Sequence, residues 1–593
     1  MNNFFKTTFA VLLGIFIYSA VSIIFLLIFF SIMVSSVSND KTVEMKPNSV
    51  LKITLNETIM DRASDNPLDN FNFGSFEKNE TLGLNDILND IKKAETDENI
   101  KGIYMELGTL DAGITIIEEI RNALLEFKKT DKFIYCNSDY YSQKSYYLAT
   151  VADYLYLTPT GNLDFIGFSM QVMFYKNALD KLGIEPQIIR HGKFKSAVEP
   201  FMLDQMSDEN KEQLETFMFS IWDDFIAKIS LQRNISSDQL NNYADNLSIS
   251  TAEKSVELKM IDSLKYKDQI ITELTSLTGV ETYEDINFVT LSDYNKVPEK
   301  EIDDNFKLVK NKIAIIYALG SIEMGEGDTY TIGSDGISEA IREAREDENV
   351  KAIVLRVNSP GGSALASEII LREVILAKEK KPVVVSMGDY AASGGYYIAC
   401  AADKIIASPN TLTGSIGVFG MFFNAEKLLE DKIGVNVNTV STNKNSDIGA
   451  FYRNMTPDEV NYMQYMIEDI YSKFITHVAE GRNMTTAQVD SIGQGRIWSG
   501  LNALDLGLID ELGGLNRAIE VAAELASLEE YRIINLPEIK DPFAQILDDF
   551  STKIRTKLLI KAMGNDYLYY EKLNEIIENQ GIQARLPFSL ELH

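Results

Sequence analysis

A chain of 593 residues with 45% hydrophobic content is long enough for more than one buried core, so a folded protein of at least two domains is expected. A net charge of -31 without a polybasic run argues against nucleic acid, or an anionic lipid surface, as the main partner. Cys136 and Cys400, both in apolar surroundings, offer neither a disulfide framework nor metal-ligand spacing and are read as core residues.

At the N-terminus, residues 9–34, "FAVLLGIFIYSAVSIIFLLIFFSIMV", carry no charge and are long enough to cross a hydrocarbon layer as a helix. The run exceeds the roughly 7 to 15 residues usual for the apolar region of a cleaved signal peptide. The following "VSSVSND" is a poor cleavage site, so a membrane anchor is expected in residues 1–45. Lys6 precedes the span and Asp40 and Glu44 follow it, which places the tail inside and the bulk outside. In a bacterium that is the periplasmic side of the cytoplasmic membrane.

The remainder repeats itself. "DENIKGIYMEL" starts at Asp97 and "DENVKAIVLRV" at Asp347, an offset of 250 positions. The same offset carries Tyr146 and Tyr147 onto Tyr396 and Tyr397, Asp153 onto Asp403, Pro159 onto Pro409, and Ile166 and Gly167 onto Ile416 and Gly417. Two homologous halves follow, 46–295 and 312–540, with a polar connector over 296–311. In the second half, strands over 352–357, 382–386 and 404–407 alternate with helices over 364–378 and 393–402. That alternation signals parallel α/β units. Beyond 540, "DDFSTKIRTKLLIKAM" reads as part of a helical extension over 541–593.

Two glycine motifs stand out in the second half. The strand ending at Val357 runs into "NSPGGSALAS", where Pro360, Gly361 and Gly362 are expected to form a turn that leaves backbone N–H groups free ahead of a helix. Ser393 opens the next helix, flanked by Ala392 and Gly394, whose small side chains let another backbone come close. A hydroxyl beside unpaired donors is the arrangement acyl transfer needs, although glycines here also permit tight helix–strand packing. The repeat discriminates. The positions matching Gly361, Gly362 and Ser393 are Asp111, Ala112 and Gln143, and a pure packing role would have served both halves alike.

A base for Ser393 is scarce among three histidines. His477 lies in a helical stretch, His593 is the last residue, and His191 remains a rival candidate. Lys195, in "RHGKFKSAVEPF", enters an apolar setting after a glycine, and burial would let its amine be neutral; a solvated side chain is the plainer reading of a lysine taken alone.

Together "RVNSPGGSALASE", "AASGGYYIACAADKIIASPNTLTGSIGVFG" and "FKSAVEPF" resemble the signal peptide peptidase A (protease IV) family in its long, tandem form, and the resemblance spans nearly the whole chain. It implies two crotonase-like or Clp-protease-like α/β domains after one transmembrane helix. It also implies a membrane-anchored serine endopeptidase that degrades apolar peptides, chiefly remnant signal peptides, as a homotetramer without a metal or organic cofactor. The family's nucleophile falls on Ser393 and its general base on Lys195. Backbone N–H groups of Gly361 or Gly362 and of Gly394 fall at the oxyanion hole, and Ser415 is a residue that orients the lysine; its first-half counterpart is Phe165. Two other readings stay open: a crotonase-type acyl-CoA enzyme, and an inactive membrane-anchored scaffold that binds peptides.

Overall fold

The computed structural model describes residues 13–22, 24–25, 45–63, 71–72, 77–78, 81–297, 309–538 and 581–586. Apart from four short strands in two separate pairs, the strands of the first half are β1 Ser49–Ile53, β2 Ile100–Glu106, β3 Phe133–Tyr141, β4 Tyr154–Leu163, β5 Glu185–Arg190, β6 Ser263–Leu264 and β7 Asn287–Thr290. All but β5 form one six-stranded sheet in the order β6-β4-β3-β2-β1-β7, parallel throughout. Strands buried on both faces need apolar runs, as in β2, where Ile103, Tyr104 and Met105 are all buried. The crossovers include α1 Leu84–Thr96, α2 Ile114–Phe127 and α3 Gln143–Ala149, and the long helix α4 Asp208–Arg233 follows β5. Helix α1 shows why these segments are helical. Leu84, Ile87, Leu88, Ile91 and Ala94 recur at helical spacing and are buried against the sheet.

The second half repeats this plan with β8 Lys312–Leu319, β9 Ser321–Glu323, β10 Thr331–Gly333, β11 Val350–Ser359, β12 Gly361–Ser363, β13 Val383–Ala392, β14 Lys404–Ala407, β15 Leu412–Gly414, β16 Phe419–Asn424, β17 Ile497–Ser499, β18 Glu511–Leu512 and β19 Arg532–Leu536. The main path of its sheet runs β17-β15-β13-β11-β8-β19, with β14 paired to β13 and β18 to β14. The repeat is chemical as well as topological. Asp153 accepts from Ile134 N at 2.9 Å and Asp403 from Val383 N at 2.9 Å. Tyr146 donates its hydroxyl to Met260 O at 2.7 Å, and Tyr396 does so to Leu508 O at 2.7 Å. Helix α5, Ser334–Glu346, stands where α1 does at the 250-residue offset.

Several expected boundaries move. Helix α6, Ala364–Lys378, lies as read, but α7 spans only Gly394–Ala399, not 393–402. Cys400 caps it, and the N–H of Asp403 is committed to Val383 O instead of to a further helical turn. Strand β13 runs on to Ala392, past the expected end at 386, because a register shift after Val357 lets its second part pair with β15. Residues 361–363 are not a turn but the short strand β12, since both sides of this backbone have neighbours to pair with.

Strand β12 belongs to a third sheet, in the order β10-β9-β12-β20-β16-β5, where β20 is Gly581–Arg585. The described part of the expected helical extension is therefore a strand. Ile582, Ala584 and Leu586 are apolar at every second position, the period of a strand and not of a helix. The "DDFSTKIRTKLLIKAM" stretch lies outside the described residues. Strand β5, from the first half, pairs antiparallel with β16 of the second, from Arg190 opposite Phe419 to Glu185 opposite Asn424. A buried polar seam adds to this joint: Arg356 donates to Asp61 at 2.7 Å and to Glu119 at 2.6 Å, and Asp389 accepts from Thr115 N at 2.9 Å.

Among the described residues no helix is long and apolar enough to cross a membrane. The expected span 9–34 lies mostly outside them. Its described parts, 13–22 and 24–25, are helical and expose Leu13, Ile15, Phe16, Ile17, Val21 and Phe25.

Candidate active site

Ser393 sits between the end of β13 and α7 with φ 55° and ψ -112°, a conformation rare for a residue with a side chain. The strain is held from both sides: its N–H donates to Gly414 O at 2.8 Å, and its carbonyl accepts from Tyr397 N at 2.8 Å. Such a sharp strand-to-helix corner thrusts the side chain out of both elements. Ser415 has φ 47° and is pinned by donation of its N–H to Arg496 O at 2.7 Å.

Lys195 reaches this corner from the other half. Strand β5 lies on β16, and the chain then bends so that Phe194 N donates to Gln494 O at 3.0 Å. The space Lys195 needs is made by glycines. At Gly495, with φ 82°, a Cβ would lie 2.7 Å from Lys195 Cα, and at Gly417 a Cβ would lie 3.3 Å from Lys195 Cδ. The lysine is wholly buried, with Nζ 2.8 Å from Ser393 Oγ and 3.1 Å from Ser415 Oγ. It also donates toward Ser415 O at 3.4 Å. Desolvation pulls its pKa down to about 7, and among the described residues no carboxylate pairs with it to hold the proton. The structure thus brings together Ser393, Lys195 and Ser415 within one chain.

The glycines line the same corner. A Cβ on Gly361, which has φ 97°, would sit 2.8 Å from Gly394 N, and one on Gly394 would sit 3.1 Å from Gly362 N. The three backbones meet where only hydrogens fit. Gly361, however, donates its N–H to Ser359 Oγ at 3.1 Å, and Ser359 in turn donates to Gly320 O at 2.6 Å. Ser359, Gly417 and Gly495 are the residues that reading the sequence missed. Of these, only the positive-φ glycine in "GQGR" carried a signal, and it pointed to a turn, not to a lysine channel.

The two described histidines make other contacts. His191 stacks on Tyr471 with ring centroids 3.9 Å apart, and His477 faces Glu368 at 3.2 Å; His593 lies outside the described residues. In the first half Gln143 occupies the place of the serine. Its Oε1 accepts from Ile166 N at 2.8 Å and Gly167 N at 2.7 Å, and its Nε2 donates to Gly167 O at 2.9 Å. One amide side chain ties off the loop that Ser393 and Lys195 share in the second half.

The model of peptidase family S49 matches residues 126–281 and 375–529, once in each half. The chain belongs to peptidase family S49. It is a serine-type peptidase, a hydrolase. Protease 4 of Salmonella typhi is 37% identical over 536 residues, covering 88% of this chain and 85% of that protein. The chloroplastic serine protease SPPA of Arabidopsis thaliana is 34% identical over 547 residues, covering 91% and 78%. A ClpP1 mutant from Listeria monocytogenes overlays 36% of this chain and 98% of its own, at 16% identity and a TM-score of 0.24. The α/β architecture rests on the parallel sheet order of the chain itself.

Proposed function

We propose that this S49 peptidase works through a Ser393–Lys195 dyad and cleaves apolar peptides at a membrane. The observation that carries the reading is the 2.8 Å approach of a fully buried lysine amine to a strained serine hydroxyl. A neutral amine accepts the proton of Ser393 as Oγ bonds to the substrate carbonyl carbon. The oxyanion is met by the N–H groups of Gly362 and Gly394, since that of Gly361 is committed to Ser359. The ammonium then protonates the departing amine as the peptide C–N bond breaks. Lys195, neutral again, takes a proton from the water that opens the acyl-enzyme. Ser415 positions the amine by its hydroxyl and its carbonyl.

The uncharged stretch 9–34 supports an anchor, which holds the catalytic body where peptides left in the bilayer lie and raises their local concentration. Signal-peptide remnants fit that placement and the apolar preference. In a bacterium the body faces the periplasm, and assembly of several copies belongs to the same reading. The test is labelling by a fluorophosphonate in detergent. Ser393 is the modified residue, and Ser393→Ala loses both the label and hydrolysis of an apolar reporter peptide by more than about a thousandfold. Full turnover in Ser393→Ala would overturn the reading, and an unlabelled, inactive wild type would point to a binding scaffold.

A further inference from the structure

The groove beside Ser393 is already filled by this chain's own C-terminal region. Strand β20 lies between β12 and β16 and pairs antiparallel with both: Gly361, Gly362 and Ser363 face Arg585, Ala584 and Gln583, while Phe419, Gly420 and Met421 face Gln583, Ile582 and Gly581. Without it the facing edges of β12 and β16 would present unpaired backbone groups to an incoming extended peptide, the setting for recognition by strand addition.

The register is informative. Leu586 N donates to Pro360 O at 2.8 Å. Hydrogen-bonded pairs recur at every second position of an antiparallel ladder, so Gly362 and Ala584 form the next one. The carbonyl of Ala584 is thereby turned to the donors assigned above to the oxyanion: a Cβ on Gly361 would lie 2.1 Å from Ala584 O, and one on Gly394 would lie 3.1 Å from it. Ala584 has no solvent exposure, and Leu586 is 5% exposed.

We propose that residues 581–586 are a built-in substrate mimic: they occupy the peptide groove in cis, must be displaced before a substrate strand can enter, and mark with Ala584 the position whose carbonyl faces the oxyanion donors. This rests on the dyad reading for the meaning of the groove, but the occupancy itself is testable without turnover. The side chain seated at that position is a wholly buried methyl group, so the substrate residue there is small, alanine or glycine, and bulky residues are rejected.

Three chains carrying Ser393→Ala, two of them full-length and one shortened, decide the matter by fluorescence anisotropy with a labelled GIQARLPF peptide. They are Ser393→Ala alone, Ser393→Ala with Ala584→Trp, and Ser393→Ala with the chain ended after residue 580. Because the tethered strand competes at a high effective concentration, the second and third bind the peptide on the order of tenfold or more tightly than the first. A peptide with Trp in place of its alanine fails to bind any of them. Equal affinity in all three would overturn the proposal, as would tight binding of the Trp peptide. Because hydrolysis plays no part in this readout, an active Ser393→Ala chain would sink the dyad without touching the occupancy, and equal affinities would sink the occupancy without touching the dyad. With Ser393 intact, the shortened chain shows a lower KM at unchanged kcat.

Discussion

Lys195, as the proposed base, carries two conflicting demands, because the burial that lowers the pKa of its amine also makes its cation expensive. With a pKa near 7, the amine is increasingly neutral as pH rises through that value, so the rising limb of kcat/KM against pH falls near 7. Lys195→Arg does not restore activity lost in Lys195→Ala, since a guanidinium stays protonated, whereas His191→Ala leaves the limb in place; a limb that vanished with His191 would identify a different base. The same shift fixes a stability signature. The unfolded lysine holds its proton up to the ordinary value of 10.5, while the folded one loses it near 7, so the folded state binds fewer protons between the two. Stability contributed at this site therefore rises with pH across that window and is lowest below it. Lys195→Met removes the slope and at neutral pH gains stability of up to about 4 kcal/mol, seen as the difference between denaturation curves of the two chains at several pH values. Gln143 is the residue-scale counterpart. Gln143→Ala leaves the N–H groups of Ile166 and Gly167 without their acceptor and costs about 1–3 kcal/mol. Gln143→Ser is destabilised similarly and gains no fluorophosphonate label at position 143. The repeat singled out Ser393, since it showed which half had kept the glycines and the serine; Lys195 taken alone read as a solvated side chain, and only the family resemblance pointed to it. The choice between Gly361 and Gly362 could not be read from the sequence, because it turns on the hydroxyl of Ser359, two residues before Gly361.

At the scale of elements, the parts that local pattern dictates were legible, and the parts that neighbours dictate were not. Helix α6 has its bounds because Ser363 caps it, accepting from Ala366 N at 3.3 Å, and because its apolar stripe faces the sheet. Strand β12 owes its form to partners far along the chain, β9 before it and β20 more than two hundred positions after it, and a local reading of Pro-Gly-Gly returns a turn. The C-terminal strand was misread for another reason: Ile582, Ala584 and Leu586 alternate with the period of a strand, but the helical reading was carried over from the stretch before them. The corner between β13 and α7 gives a direct prediction. In Gly394→Ala the new Cβ meets Ser367 Oγ at 2.8 Å and Gly362 N at 3.1 Å, intruding where the oxyanion would form. kcat falls by about a hundredfold or more, with a much smaller change in peptide affinity for the Ser393→Ala background, which separates a damaged oxyanion site from a damaged fold.

For the whole molecule, chemistry and location are separable. Removal of residues 1–34 preserves turnover of short soluble peptides and slows digestion of peptides embedded in vesicles, measured at equal enzyme concentration. Equal rates on embedded peptides would show that the apolar stretch does not supply proximity. The two-sheet plan was visible in the 250-residue offset, but the third sheet joins strands from both halves and the C-terminal region, a pairing that no single stretch of sequence announces. That shared sheet has a consequence for ancestry. Once β5 of one repeat had settled on β16 of the other and delivered Lys195 across the joint, each copy came to hold only part of the equipment. On the proposed dyad neither copy suffices alone: deleting one removes Ser393 or Lys195, and activity returns only when the missing copy is supplied, on the same chain or as a separate complementing fragment.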